Sequence, residues 1–411
     1  MSVSFALSPE QEQLKKVARQ FAEDHLRDLA EAVRLEPDPL RRALLARPVF
    51  EKAVGMGFLK GLIPAPFGGA AGSGVDAAIL IEEWAVHSPD FVISMAGPLI
   101  ALAPVYLAGT PDQVTRFVAP FLADSGTPVA AMAYSEPDGS ANFDAPAPAA
   151  GILTTARPDG DSWVIDGRKQ WASHLPGWDG DGPDLMTIVC RTPGGVSLVV
   201  AEREHLAGHI EVEEYLDLPG LAGCLTARIG LHGVRVPREN LVGAEGQGPE
   251  LTFAAFAGSG ASIGTFATAA MRRAFELAYR FATTEKRGGA APIIEHRPVS
   301  DILADAKGRI EATRLLAWRA LDAVLSGDPA GHELALHSKV FGSETAVEVI
   351  TELTKLVGVT AYDKSFPMLR YLNEALAYPI IEGGNVGVRR RQLHDLFRTP
   401  GYDPLAASGM S

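Results

Sequence analysis

The chain has 411 residues, 47% of them hydrophobic, a net charge of −13 and two cysteines. That length and apolar content predict a globular protein of more than one domain, while the acidic balance excludes a general nucleic-acid surface. Cys190 and Cys224 lack metal-site spacing and are too few for a disulfide framework. No uncharged apolar run of about 18 residues stands out, and no basic start leads into an apolar stretch, so neither a membrane span nor a secretory leader is expected and a reducing cytoplasm fits best.

The first segment, 1–127, reads as all-helical. Ser8-Pro9-Glu10-Gln11 is a helix start: a serine cap, proline at the first turn, and glutamine three residues after the cap. Leu14, Val17, Phe21, Leu26, Leu29 and Val33 follow at mostly helical spacing. Further helical stretches are predicted around 48–59, 75–87, 93–108 and 112–123, with turn chemistry at Pro64-Ala65-Pro66-Phe67-Gly68-Gly69.

The period changes over 128–243. Residues 152–171 alternate β-formers around Pro158-Asp159-Gly160 and again around Asp166-Gly167, which predicts a meander of short strands with a turn at each. Residues 185–192, 196–202, 210–216 and 227–237 continue it, and 144–150 reads as a loop. One antiparallel β-domain is the simplest reading.

From 244 to 411 helix returns, over 250–286, 300–326, 332–357 and a last run from about 385, with a break at Ser326-Gly327-Asp328-Pro329. Four helices with short connections predict a bundle, and Gly258, Gly260 and Gly264 would let backbones approach closely. The tail after Thr399-Pro400-Gly401 looks frayed. The fold class is therefore α+β: an N-terminal helical domain, a central antiparallel β-domain and a C-terminal four-helix bundle.

Short strings stand at the joints of this plan. Met132-Ala133-Tyr134-Ser135-Glu136-Pro137-Asp138-Gly139-Ser140 enters the β-domain, and alone would be a turn between helix and sheet. Gly167-Arg168-Lys169-Gln170-Trp171-Ala172-Ser173-His174 lies on a strand, where Trp171 alone would be core packing and His174 reads as a structural histidine. Gly233-Val234-Arg235-Val236-Pro237-Arg238-Glu239-Asn240-Leu241-Val242-Gly243 leaves the β-domain. Glu285-Lys286-Arg287 precedes Glu295-His296-Arg297 and Leu303-Ala304-Asp305, and Ile380-Ile381-Glu382-Gly383-Gly384-Asn385 precedes the last helix. Glu382 has apolar residues before it and two glycines after it, a setting that can raise a carboxylate toward a useful base and let a substrate come close.

In order and spacing these strings resemble the acyl-CoA dehydrogenase family over nearly the whole chain, about 5–397. The resemblance implies that fold, FAD as cofactor, and oxidation of an acyl thioester carried by CoA or by an acyl-carrier protein. It places Met132, Tyr134, Ser135 and Ser140 in the loop along the flavin, with Trp171 and Ser173 on its N5 side. It places Lys286 and Arg287 where the family's arginine reaches the FAD pyrophosphate of a neighbouring subunit, and Gly384 and Asn385 where a further FAD contact lies. Glu382 stands at the position of the catalytic base. It would remove the α-proton while the β-hydrogen leaves as hydride to flavin N5, giving the 2,3-enoyl thioester.

Departures accompany the match. Gly288-Gly289 and Arg297 replace family residues on the adenine side, Gly384-Asn385 replaces Thr-Ser, and 256–261 lacks the charged Asp-x-x-Arg pattern near the substrate. Arg389-Arg390-Arg391 on the last helix reads by default as a solvated face. The resemblance further implies a homodimer or homotetramer, with an electron-transfer flavoprotein or oxygen as acceptor. The rival readings are a reduced-flavin monooxygenase on the same fold, whose members lack the carboxylate, and a non-catalytic binding protein.

Overall fold

The computed structural model describes residues 6–146 and 148–408. Helices come first: α1 Pro9–Phe21, α2 Arg27–Leu35, α3 Pro39–Leu44, α4 Arg47–Gly55, α5 Gly74–Ala85, α6 Pro89–Ala108 and α7 Pro111–Val118. The predicted start of α1 forms a reciprocal cap. Ser8 Oγ accepts from the Gln11 N–H at 3.2 Å and Gln11 Oε1 accepts from the Ser8 N–H at 3.0 Å, satisfying two N-terminal donors that the helix itself leaves free. A wider turn at Ala22–Leu26 separates α1 from α2. The sequence reading missed the uncharged stretch from Phe91 to Ala108. Helix α6 is the one helix among the described residues long and apolar enough to cross a membrane, yet half of its apolar window is buried inside the protein, where it packs on the bundle and the first strand. It is a core helix.

The strands are β1 Ala130–Ala133, β2 Thr155–Asp159, β3 Ser162–Ser173, β4 Leu185–Thr192, β5 Gly195–Glu202, β6 Ile210–Tyr215, β7 Thr226–Pro237 and β8 Leu241–Val242, with a short helix α8 Arg203–Leu206 after β5. They form one sheet in the order β6-β7-β3-β2-β4-β5-β8, with β1 on β4. Pro158-Asp159-Gly160 does turn the chain, between β2 and β3. Asp166-Gly167 does not: β3 runs straight through, with a register shift against β7 between Ile165 and Gly167. A side chain at Gly167 would strike Thr154, so the glycine serves close packing rather than a turn. The sheet is also not wholly antiparallel, because β1 joins β4 in parallel and β2 touches it in parallel at Thr155 and Arg191. Along β4, Met186, Ile188 and Cys190 enter one apolar cluster with Trp163 and Ile229, while Leu185 and Val189 enter the main core shared with the helices. Period two thus buries both faces.

The bundle is built on three long helices, α9 Gly248–Thr284, α10 Arg297–Ser326 and α11 Gly331–Val357. Its remaining helices are short: α12 Met368–Ala377, which periodicity did not reveal, and α13 Arg390–Phe397. Of the three glycines expected to permit close approach, Gly264 faces Ser338 and Ala317 and Gly260 faces the Arg389 guanidinium, whereas Gly258 meets nothing closer than ordinary contact. The tail is docked rather than frayed up to Ala407: Tyr402 donates to Glu333 at 2.8 Å and packs on Phe397, and Arg319 donates to the Ala407 carbonyl.

His174 closes β3. It is fully buried against Trp178, neither ring nitrogen has a hydrogen-bond partner among the described residues, and burial pushes it down to about 3. The folded chain therefore holds it neutral while the unfolded chain protonates it near 6.5, so stability is complete above that pH and is lost as pH falls from 6.5 toward 3. His174→Phe is expected to remove on the order of 1–2 kcal/mol of the stability loss between pH 7 and pH 5. Urea melts of both proteins across that range check it, and an unchanged pH slope would rule it out.

Candidate active site

A cavity of about 1650 Å³ opens where the three regions meet, lined from α5, α6, β1, the end of β3, α9 and the loop after α12. Sites for one small ligand are usually below about 1,000 Å³, so this space suits a large cofactor together with a substrate. Met132, Tyr134, Ser135, Ser140, Trp171, Ser173, Gly384, Asn385 and Glu382 all line it, brought together from positions up to 253 residues apart.

One wall is the loop after β1. Its shape rests on the buried ion pair between Glu136 and Lys169, 3.1 Å apart. The Glu136 carboxylate also accepts from the N–H groups of Leu153 and Thr154 and from the Thr154 hydroxyl, at 2.6–2.8 Å. Lys169 also donates to the carbonyls of Tyr134 and Val189. Burial works to raise the Glu136 carboxyl, but the Lys169 ammonium and these donors hold it below the usual range. Tyr134 donates to the Ser140 carbonyl at 2.6 Å, and Ser140 Oγ accepts from the Glu136 N–H at 2.9 Å. Tyr134 and Ser140 therefore brace the loop, and Ser135 lines the cavity between them. Beside it, where the Gln170 N–H donates to the Ser135 carbonyl at 2.9 Å, Trp171 sits at φ +76° and is 54% exposed on the wall. An exposed indole held in a left-handed backbone is a surface prepared for a planar ring, and FAD fits these residues.

The loop after α12 brings Glu382 to the cavity at φ +53°, followed by Gly383 at +71°. Its Oε2 is buried and has no hydrogen-bond partner among the described residues. Arg389, read from sequence as solvated, is 1% exposed and donates to the Glu382 carbonyl through Nε at 3.0 Å and Nη2 at 2.6 Å, and to the Phe256 carbonyl at 2.8 Å. Burial lowers it to about 10, so it stays charged at neutral pH. Its neighbours face outward, Arg390 onto Glu344 and Arg391 toward Asp144. The Asn385 side chain is spent within the protein, accepting from Lys339 and donating to Ser343 and Glu344. Sequence reading missed Arg389 and Lys339, since a lone cation on a helix carries no mark of burial.

Lys286 and Arg287 do not line the cavity. Arg287 sits over the Phe281 ring and donates to the Val357 carbonyl and to Thr360 Oγ1.

Comparison with known proteins gives the class. Residues 8–125 match the profile of the acyl-CoA dehydrogenase N-terminal domain and residues 246–395 that of the C-terminal domain. With this fold and this cavity, the protein is an FAD-dependent oxidoreductase. It is 38% identical to a nitroalkane oxidase of Podospora anserina over 99% of both chains, and a solved structure of that organism's enzyme superposes with a TM-score of 0.95 at 36% identity, covering 99% of this chain and 100% of the other. A further solved nitroalkane oxidase, 33% identical with a TM-score of 0.95 over 100% of both chains, has been analysed for the roles in its reaction of an aspartate and an arginine seven positions further on. A probable acyl-CoA dehydrogenase of Mycobacterium leprae is 26% identical over 93% of this chain and 94% of its own. The chain belongs to the acyl-CoA dehydrogenase family.

Removing one partner of a buried ion pair leaves the other charge uncompensated. Lys169→Met is expected to cost about 3–5 kcal/mol and to loosen the loop that carries Ser135. Denaturant melts and the flavin content of the purified variant read both effects, and full flavin content at wild-type stability would contradict them.

Proposed function

We propose that the enzyme oxidises small neutral nitroalkanes, with Glu382 removing the proton from the carbon that bears the nitro group. The observation that carries this reading is the pairing of an unpartnered Glu382 carboxylate with Arg389, seven positions on, which holds the Glu382 carbonyl. The spacing matches that of the aspartate and arginine in the nitroalkane oxidase described above. A nitro group acidifies its α-proton far more than a thioester does, so a carboxylate is a sufficient base. The cavity wall offers Leu80, Ile81, Ile93 and Ile100 to an alkyl chain, and the stretch 256–261 has no charge for a carrier's phosphates. Bound FAD supplies the two-electron acceptor. The reaction balances with dioxygen as final acceptor: nitroalkane, water and dioxygen give the aldehyde, nitrous acid and hydrogen peroxide.

One observation favours a second reading, α,β-dehydrogenation of an acyl thioester. The base is a glutamate, as the family resemblance implies, where nitroalkane oxidase has an aspartate. Anaerobic mixing of the holoenzyme with a panel of nitroalkanes, acyl-CoA and acyl-carrier-protein thioesters separates the two by flavin bleaching. Nitroalkanes are expected to bleach it and thioesters not, with the reverse overturning the proposal. Glu382→Gln should keep its flavin and lose on the order of 10²–10⁴ in bleaching rate; a wild-type rate would remove Glu382 as the base.

The same reading includes a second copy of the chain. Lys286 and Arg287 lie away from their own cavity, where they suit a neighbour's FAD phosphates. Beside Arg287, which bonds Thr360, Val359 and Tyr362 are 82% and 80% exposed, a pair of large apolar groups that a partner would cover. Val359→Lys combined with Tyr362→Glu should convert a dimer or tetramer to monomer with loss of FAD. Sedimentation showing the wild type as a fully active monomer would sink this. The two buried free thiols suit a reducing cytoplasm.

A further inference from the structure

We infer that Lys339 is a positioning residue for the base: from helix α11 it ties together both ends of the loop that presents Glu382. The inference rests on Glu382 as the base of the proposed reaction.

The loop needs an external hold. It runs from Tyr378 to Asn385 and contains Glu382 and Gly383, both left-handed. A non-glycine residue in that region is strained and persists only where its surroundings enforce it. Within the loop, the Asn385 N–H donates to the Pro379 carbonyl at 2.8 Å. The Ile380 and Ile381 N–H groups also donate to the Ala377 carbonyl at 3.0 Å, and helix α11 adds a hold from outside the loop. Lys339 is fully buried and lies outside the cavity lining. Its Nζ donates to the Tyr378 carbonyl, where the loop begins, and at 3.1 Å to Asn385 Oδ1, where it ends. Ser343 and Glu344, one turn further along α11, accept from Asn385 Nδ2 at 3.0 and 3.1 Å. A single helix face therefore fixes the exit of the loop, and from that face Lys339 also reaches its entry.

Placing an amine there is expensive, which argues for a task. Burial, with Arg389 beside it, brings Lys339 down to about 7, against the opposing pull of Glu382 and Glu344. Either protonation state keeps at least two N–H groups for the two acceptors. A methionine of similar length would fill the volume without leaving a buried amine. What it could not do is join Tyr378 to Asn385. With that tie cut, Arg389 still anchors the Glu382 carbonyl to α9 through Phe256, but the carboxylate is free to drift from the substrate carbon.

The test uses the FAD-loaded full chain. Lys339→Met should fold and hold flavin. Its flavin-reduction rate with a neutral nitroalkane should fall by about 10–100-fold, the scale of a misplacement near 1 Å, with little change in KM. Its rate with the pre-formed nitronate, which has no α-proton to lose, should be unchanged. Glu382→Gln should show the same split between the two substrates. Amide hydrogen exchange in 378–385 should quicken in Lys339→Met while the bundle helices keep their protection. A wild-type rate with the neutral substrate, an equal loss with both substrates, or unaltered exchange in the loop would each overturn the inference. If Lys339→Met fails to fold, Asn385→Ala, which cuts only the exit arm, is read by the same measurements. Exchange needs no substrate, so it reports on Lys339 even if nitroalkanes leave the wild-type flavin oxidised, a result that would sink the nitroalkane reading alone.

Discussion

The buried pair of Glu136 and Lys169 is the constraint on which the Ser135 and Trp171 side of the cavity depends. An ion pair taken out of water is tolerable only when its remaining hydrogen-bonding capacity is also met. Here the ammonium uses Glu136, the Tyr134 carbonyl and the Val189 carbonyl, and the carboxylate takes three further donors from Leu153 and Thr154. Those partners belong to the loop after β1, to β3, to β4 and to the segment before β2. Four pieces of chain that would otherwise slide past one another are locked in one arrangement, and Ser135 and Trp171 take their places from it.

The other side of the cavity is organised by the bundle. Glu382 is suspended between α9, through Arg389, and α11, through Asn385 and Lys339. Of the five left-handed non-glycine residues among the described residues, Trp171, Leu221 and Glu382 line the same cavity, whereas His174 and Arg287 do not. Such backbone states persist where surrounding packing over-determines them, and the two networks provide that packing from opposite sides. The result is a carboxylate held without a hydrogen-bond partner on one buried oxygen, in a cavity that Ser135 and Trp171 also line.

Much of this was legible in the chain. The capping box at Ser8, the strand alternation of 185–202 and the breaker at Gly327 are local signals, set by neighbours a few residues away, and each appears where its chemistry requires. The motif strings marked the loop of Ser135, the strand of Trp171 and the loop of Glu382 because their residue types and order resemble a family. Local signals also misled. Asp166-Gly167 has turn composition but lies in a continuous strand, because Thr154 packs where a side chain would be. Helix α12 is short and carries too few periods to stand out.

Alone, the sequence determined the succession of helices, strands and helices, the family, and the place of Glu382 in a loop that the fold brings to the cavity. It could not determine which cations are buried. Arg389, Arg390 and Arg391 are chemically identical neighbours, yet one is 1% exposed and holds the Glu382 carbonyl while the others pair with surface carboxylates. Lys339 looks like any helical lysine until α9 and the loop after α12 close over it. Burial is a property of the whole packed chain: a charge is driven to find partners only when segments distant in sequence have already removed its water. The roles of Arg389 and Lys339 were therefore decided by the tertiary structure and by nothing short of it.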